Sequence, residues 1–303
     1  MDVSALKGII PPLITPVTEN EDIDEGALRK IVSHCIDKGL HGVFIGGTMG
    51  ESLSSTQEQR DRSIRIALDE ANGRVPVLGG VMDSSTRRVI ENIKRFEQMG
   101  GEYAVVSPVF YSTHAGTKET IRHFEEISRH TEAKILAYNI PAYTGLNMPP
   151  KMIYEIAKID KVVGIKDSSG SFVQFVSLLN HFRGTGFKIF QGLSALADIS
   201  ILLGADGLVL GYAPLFPEIY LDMYESSLKK DVDRMIRLAP IIERIAGINN
   251  FSTYSIAATK CSMTALGFSD KRMMRPSEPV TPEEEIRILE EVKAINEAYE
   301  KVK

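Results

Sequence analysis

The sequence predicts a (β/α)₈ barrel with a C-terminal helical appendage, and three observations carry that prediction. Eight short β-branched runs alternate with amphipathic helical stretches, one pair about every 25 to 35 residues. The runs do not alternate polar with apolar residues: Val162-Val163-Gly164-Ile165 reads as a strand covered on both faces, as in a parallel sheet. The 303 residues suffice for one large barrel and a little more. An open doubly wound sheet would want a G-x-G-x-x-G turn after its first strand, and none follows residue 15.

Taken in order, the strand runs are 9–15, 43–46, 75–81, 103–107, 134–138, 162–166, 188–191 and 207–210. The helical patterns between and after them are 26–39, 56–71, 85–99, 117–130, 149–158, 171–182, 194–203 and 217–229. Ser55, with Glu58 three residues on, reads as a capping box opening the second of these. The barrel is therefore assigned to 1–230. Residues 231–303 carry no strand signal and read as three helices, 231–247, 254–266 and 282–302. The last opens on Thr281-Pro282-Glu283, a cap, a first-turn proline and an acidic first turn. No low-complexity linker precedes this region, so it is expected to pack on the barrel.

Composition narrows the partners. At 43% hydrophobic and 25% charged the chain has an ordinary globular balance. Its net charge of −5 lacks the basic surplus of a nucleic-acid or anionic-membrane binder. Cys35 and Cys261 sit in separate helical patterns, so neither a disulfide framework nor a thiolate metal site is expected, which suits a reducing cytoplasm. Met1-Asp2-Val3-Ser4 has no secretory character, and the apolar run 201–216 is broken by Asp206 and glycines. Among the six histidines only His123 and His130 share a helix face, so no metal site is expected. Gly192 and Gly211 follow strands 7 and 8, where barrels bind phosphate, but no Lys or Arg lies between 189 and 228.

In a barrel the chemistry sits at the carboxyl ends of the strands. Strand 2 runs into Gly46-Gly47-Thr48-Met49-Gly50-Glu51-Ser52, strand 5 into Tyr138-Asn139-Ile140-Pro141, and strand 6 into Lys166-Asp167-Ser168-Ser169-Gly170. Lys166 ends an apolar strand. Desolvation there lowers an amine's pKa and frees it to attack a carbonyl carbon; position alone equally allows a lysine whose stem lies on the core and whose head reaches water. Tyr138 is either a proton carrier beside it or a core aromatic with a satisfied hydroxyl. The Gly46–Gly50 turn is either a tight connection or a nest of amides for a carboxylate, with the Thr48 hydroxyl as a further donor.

Together these segments, with Gly8-Ile9-Ile10-Pro11, Ile14-Thr15-Pro16 and Gly204-Ala205-Asp206-Gly207, resemble the pyruvate-dependent class I aldolase family that includes N-acetylneuraminate lyase and dihydrodipicolinate synthase. The resemblance spans nearly the whole chain. It implies a barrel with a C-terminal helical region, a homotetramer built as a dimer of dimers, and no cofactor beyond a covalent imine. It makes Lys166 the imine-forming lysine and Tyr138 the proton donor and acceptor. Gly47, Thr48, Met49 and the backbone of Val209 fall where the family holds the pyruvyl group.

Three departures bear on the substrate. Met49 replaces the second hydroxyl residue most members carry beside Thr48. Phe110 falls where the synthases place a relay tyrosine, with Tyr111 adjacent as the candidate substitute. Tyr143 stands where they carry an arginine for the aldehyde's carboxylate, and a phenol cannot replace that bidentate cation. Gly192-Leu193-Ser194-Ala195 also lacks the acidic pair with which the neuraminate lyases hold a long polyol. The expectation is an aldolase that splits a shorter or less polar 2-oxo acid, such as a 2-keto-3-deoxy sugar acid, into pyruvate and an aldehyde. Tyr143 and Leu193 would then shape the second-substrate pocket. The alternatives are dihydrodipicolinate synthase, condensing pyruvate with aspartate semialdehyde, and a pyruvate-binding regulatory barrel without turnover.

Overall fold

A computed structural model describes residues 3–111 and 116–303; His114 and the Met1-Asp2 start lie outside them. Eight parallel strands form one sheet in the order 1-8-7-6-5-4-3-2: β1 (Gly8–Ile9), β2 (Val43–Ile45), β3 (Val77–Gly80), β4 (Tyr103–Val106), β5 (Lys134–Asn139), β6 (Val162–Asp167), β7 (Lys188–Gln191) and β8 (Gly207–Leu208). This is the predicted barrel. β1 and β8 are the shortest at two residues each; on the β1 side the Ile10 amide still donates to Leu208 O at 2.8 Å, and the ladder stops there because Pro11 and Pro12 carry no amide. The seam to β2 closes instead at one bridge. There the Phe44 amide donates to Pro11 O and the Leu13 amide to Phe44 O, both at 2.8 Å.

The helices are α1 (Glu25–Asp37), α2 (Gln57–Ala71), α3 (Thr86–Gln98), α4 (Thr117–Ser128), α5 (Pro141–Thr144), α6 (Pro150–Ile156), α7 (Phe172–Phe182), α8 (Ala197–Leu202), α9 (Pro217–Lys229), α10 (Val232–Gly247), α11 (Ser255–Met263) and α12 (Pro282–Glu300). The expected capping box is displaced by one residue. Thr56 is the cap of α2: its hydroxyl accepts from the Gln59 amide, and the Gln59 side chain accepts from the Thr56 amide. The Ser55 hydroxyl instead points back along the turn, donating to Glu51 O. Thr281 caps α12 as expected, with Pro282 in the first turn. The short α5 was not anticipated; four residues between Ile140 and the left-handed Gly145 are too few to display a helical period.

Side chains sort into two layers by the two-residue period of the strands. Leu136, Tyr138, Phe44, Leu78, Val105 and Phe190 fill the barrel's lumen. Ile135, Ala137, Ile165 and Ile189 face outward and join the larger annular core under the helices.

Candidate active site

That same alternation positions the reactive groups. Tyr138 and Lys166 are direct partners in the β5–β6 register, so both turn inward at one height. Asn139 and Asp167 are the next pair and turn outward, where the Asn139 amide donates to Asp167 Oδ1 (2.8 Å) and Asn147 Oδ1 (2.9 Å). Asp167 also accepts from the Ser169 hydroxyl at 2.9 Å, and Ser168 N donates to Asn139 O at 2.8 Å. This outer network ties the loops after β5 and β6 together beneath the inward pair.

Lys166 is 4% exposed, its Nζ 4.0 Å from the centre of the Tyr138 ring and 5.1 Å from that of Phe44. Aromatic faces favour the ammonium by about 1–2 kcal/mol when desolvated. Burial opposes this and prevails, pushing the Lys166 pKa down to about 7. The chain's other fully buried lysine supplies the contrast. Lys260, in α11, forms an ion pair with Glu51 Oε2 and donates to Arg272 O at 2.7 Å, a setting built for a charged lysine. No such carboxylate faces Lys166 among the described residues. Its site is built for a neutral amine.

Burial pushes the Tyr138 phenol well above its ordinary value, against the opposing effect of hydrogen bonds to the Ser168 and Thr48 hydroxyls. Tyr138 therefore stays protonated and sits in a chain of three hydroxyls. Thr48 lies on the turn after β2, whose own bonds use the amides of Gly50, Glu51 and Ser52 and leave those of Thr48 and Met49 free of the turn. Gly46 (φ +72°) and Glu51 (φ +52°) make the turn's two left-handed corners.

A cavity of about 210 Å³ gathers Thr48, Met49, Tyr138, Tyr143, Lys166 and Val209, with Ser168, Gly192 and Leu193 beside them. Met49 reaches Gly211, where an added Cβ would lie 2.8 Å from its terminal methyl. Gly192 leaves room for the centre: a Cβ there would stand 2.0 Å from Ser168 Oγ and 3.2 Å from Lys166 Cε. Gly47 backs the site from behind, close against the Phe44 ring. Tyr111 is not brought in. It is 99% exposed at φ +71°, while Phe110 lines a second cavity of about 220 Å³ that shares Thr48, Ile140 and Tyr143 with the first.

Sequence reasoning missed several of these residues. Ser168 was legible, since it follows Lys166 by two and so shares its face. Ser255 and Ile256, the first turn of α11, complete the cavity wall and carried no local signal. Glu51 anchors the Thr48 turn to the C-terminal region through Lys260 and the Met274 amide, which it accepts at 3.0 Å.

The sequence profile of the dihydrodipicolinate synthetase family matches residues 5–298. The chain belongs to this family. A 4-hydroxy-tetrahydrodipicolinate synthase of Methanopyrus kandleri is 33% identical over 231 residues, 76% of each chain. An uncharacterized DapA-like lyase of Pyrococcus abyssi is 28% identical over 300 residues, covering 98% of this chain and all of that protein. Among solved structures, the dihydrodipicolinate synthase of Bacteroides thetaiotaomicron superposes with a TM-score of 0.90 at 29% identity, covering 97% of this chain and 100% of that one. The expected membership of the pyruvate-dependent lyases thus holds at the level of the family. Among the described residues no cluster of His, Cys, Asp or Glu could hold a metal ion, and no helix is long and apolar enough to cross a membrane.

Proposed function

We propose that the protein is a Schiff-base aldolase that reversibly cleaves a 2-oxo acid, such as a 2-keto-3-deoxy sugar acid, to pyruvate and an aldehyde, with no cofactor beyond the imine. The observation that carries this reading is a buried lysine without a counter-ion, facing a phenol across one strand register. The free Lys166 amine attacks C2 of the oxo acid, and loss of water leaves a protonated imine. The substrate carboxylate rests on the Thr48 and Met49 amides. As the C4 hydroxyl loses its proton, the C3–C4 electrons flow to the imine nitrogen, releasing the aldehyde and leaving an enamine. Tyr138, itself protonated, works by relay: as its oxygen takes the C4 proton its own passes to the Thr48 hydroxyl, whose proton moves to the substrate carboxylate resting there, and the same chain run backward returns that proton for delivery to C3 of the enamine. Protonation of the enamine at C3 and hydrolysis return pyruvate and the amine.

Borohydride with pyruvate should add a pyruvyl mass to the peptide containing Lys166; a label elsewhere, or none, removes the reading. The trapping rate should rise with pH through about 7 and level off above it, since only the neutral amine attacks. A rate flat from pH 6 to 8 would contradict a neutral buried lysine. Tyr138→Phe should keep imine trapping while slowing aldol cleavage by about 10²–10⁴-fold. Cleavage at the wild-type rate would strip Tyr138 of its role.

The second reading is dihydrodipicolinate synthase, favoured by the synthases among the chain's relatives. Against it, neither cavity offers a cation besides Lys166 for the second carboxylate of aspartate semialdehyde. Direct assay of that condensation decides between them. An imine formed with no turnover of any 2-oxo acid would support the regulatory barrel instead. The homotetramer implied by the resemblance belongs to this proposal, and sedimentation would read it.

A further inference from the structure

The second cavity abuts the lysine cavity and shares Thr48, Ile140 and Tyr143 with it, so a substrate held by Lys166 has only to extend past Tyr143 to enter. Its walls carry one ionised group, Glu51, whose carboxylate is taken up by Lys260 and the Met274 amide. Nothing there is left to pair with a charged aldehyde. The hydroxyls are unequally committed. Ser107 donates to Pro108 O at 2.9 Å, Thr144 donates to Ile140 O at 3.1 Å, and Thr48 is bonded to Tyr138. Ser54 is open to solvent. Ser52 differs from these: it is 3% exposed and lines the cavity, and its hydroxyl is committed to no described group, yet it is not among the atoms sealed away from water. A hydroxyl that opens onto a cavity and is committed to no protein group is free to donate to, or accept from, a molecule held there.

Resting on the aldolase reading above, we propose that Ser52 is a specificity-determining residue that hydrogen-bonds a hydroxyl of the aldehyde half, and that the acceptor is a short, uncharged hydroxyaldehyde. The placement follows the turn. Thr48 holds one end of the substrate at the lysine, and Ser52, four residues on, meets the other end over a floor of Met82, Phe110 and Ile140. The apolar floor suits a short carbon chain and offers nothing to a long polyol. A neutral hydroxyl needs only the partner Ser52 supplies, and a site that pairs a substrate hydroxyl discriminates against the analogue lacking it.

The test compares D-glyceraldehyde with propanal, aldehydes of equal chain length, as acceptors for pyruvate. Wild type should prefer glyceraldehyde. In Ser52→Ala the ratio of kcat/KM for glyceraldehyde to that for propanal should fall about tenfold, the scale of one neutral hydrogen bond. Ser52→Thr, which keeps a hydroxyl, should retain part of the preference, and thermal melts of both variants monitor folding. An unchanged ratio in Ser52→Ala overturns the inference, as does a wild type that forms the pyruvate imine yet prefers propanal or uses neither aldehyde. Failure to form the imine at all would instead overturn the aldolase reading.

Discussion

Lys166→Met is expected to lower turnover by about 10⁴-fold or more, the scale on which loss of a covalent nucleophile falls, and to abolish borohydride trapping of pyruvate. Methionine is the informative replacement because it fills nearly the same volume among Tyr138 and Phe44 while removing the amine. It should not destabilise the fold, and the sign of its effect can be worked out. Native Lys166 loses its proton near pH 7, whereas the unfolded chain holds the same proton to about pH 10. Across that window the unfolded state binds more protons, so this group makes stability rise with pH. Below about pH 7 both states are protonated, and the folded one bears the full desolvation cost. Lys166→Met should therefore gain stability relative to wild type at pH 6, with the gain shrinking toward pH 10. Denaturant midpoints at the two pH values check this, and a variant equally stabilised at both would refute the burial argument. Residual turnover within tenfold of wild type would remove Lys166 from the chemistry.

Lys260→Met should have the largest effect on stability. It leaves the Glu51 carboxylate buried opposite a thioether, and removing one partner of a buried ion pair costs about 3–5 kcal/mol. Replacing both partners, Glu51→Gln with Lys260→Met, should recover most of that loss, because no charge then remains to be solvated. The single variant's unfolding free energy, with the double variant as its control, reads the effect. A single-variant cost below about 1 kcal/mol would mean that water reaches the pair. Since Glu51 closes the turn that carries Thr48, the single variant should also raise the KM for the oxo acid.

The barrel was legible because its signal is local. Period, β-branching and turn residues sit within each βα unit, and the inward set of β5 and β6 follows from counting by twos. Lys166 and Tyr138 stood out for the same reason, as polar residues ending apolar runs. What escaped detection was long-range. Ser255 and Ile256 lie about 90 residues beyond Lys166 and meet it only once α11 has packed on the barrel. Lys260 looked like any helical lysine until its carboxylate partner, more than 200 residues earlier, was in place. The ambiguity between Phe110 and Tyr111 was geometric. A left-handed backbone at Tyr111 sends two adjacent aromatics to different surroundings, and composition is silent on φ.

The proline-broken first strand has a consequence for how reactivity and folding are joined. The cylinder is zipped at its weakest join by bonds at Phe44, and the ring of that same residue shields Lys166 from water. One residue thus serves two ends: the backbone of Phe44 fastens the first strand to the second, and its ring walls the buried amine of Lys166.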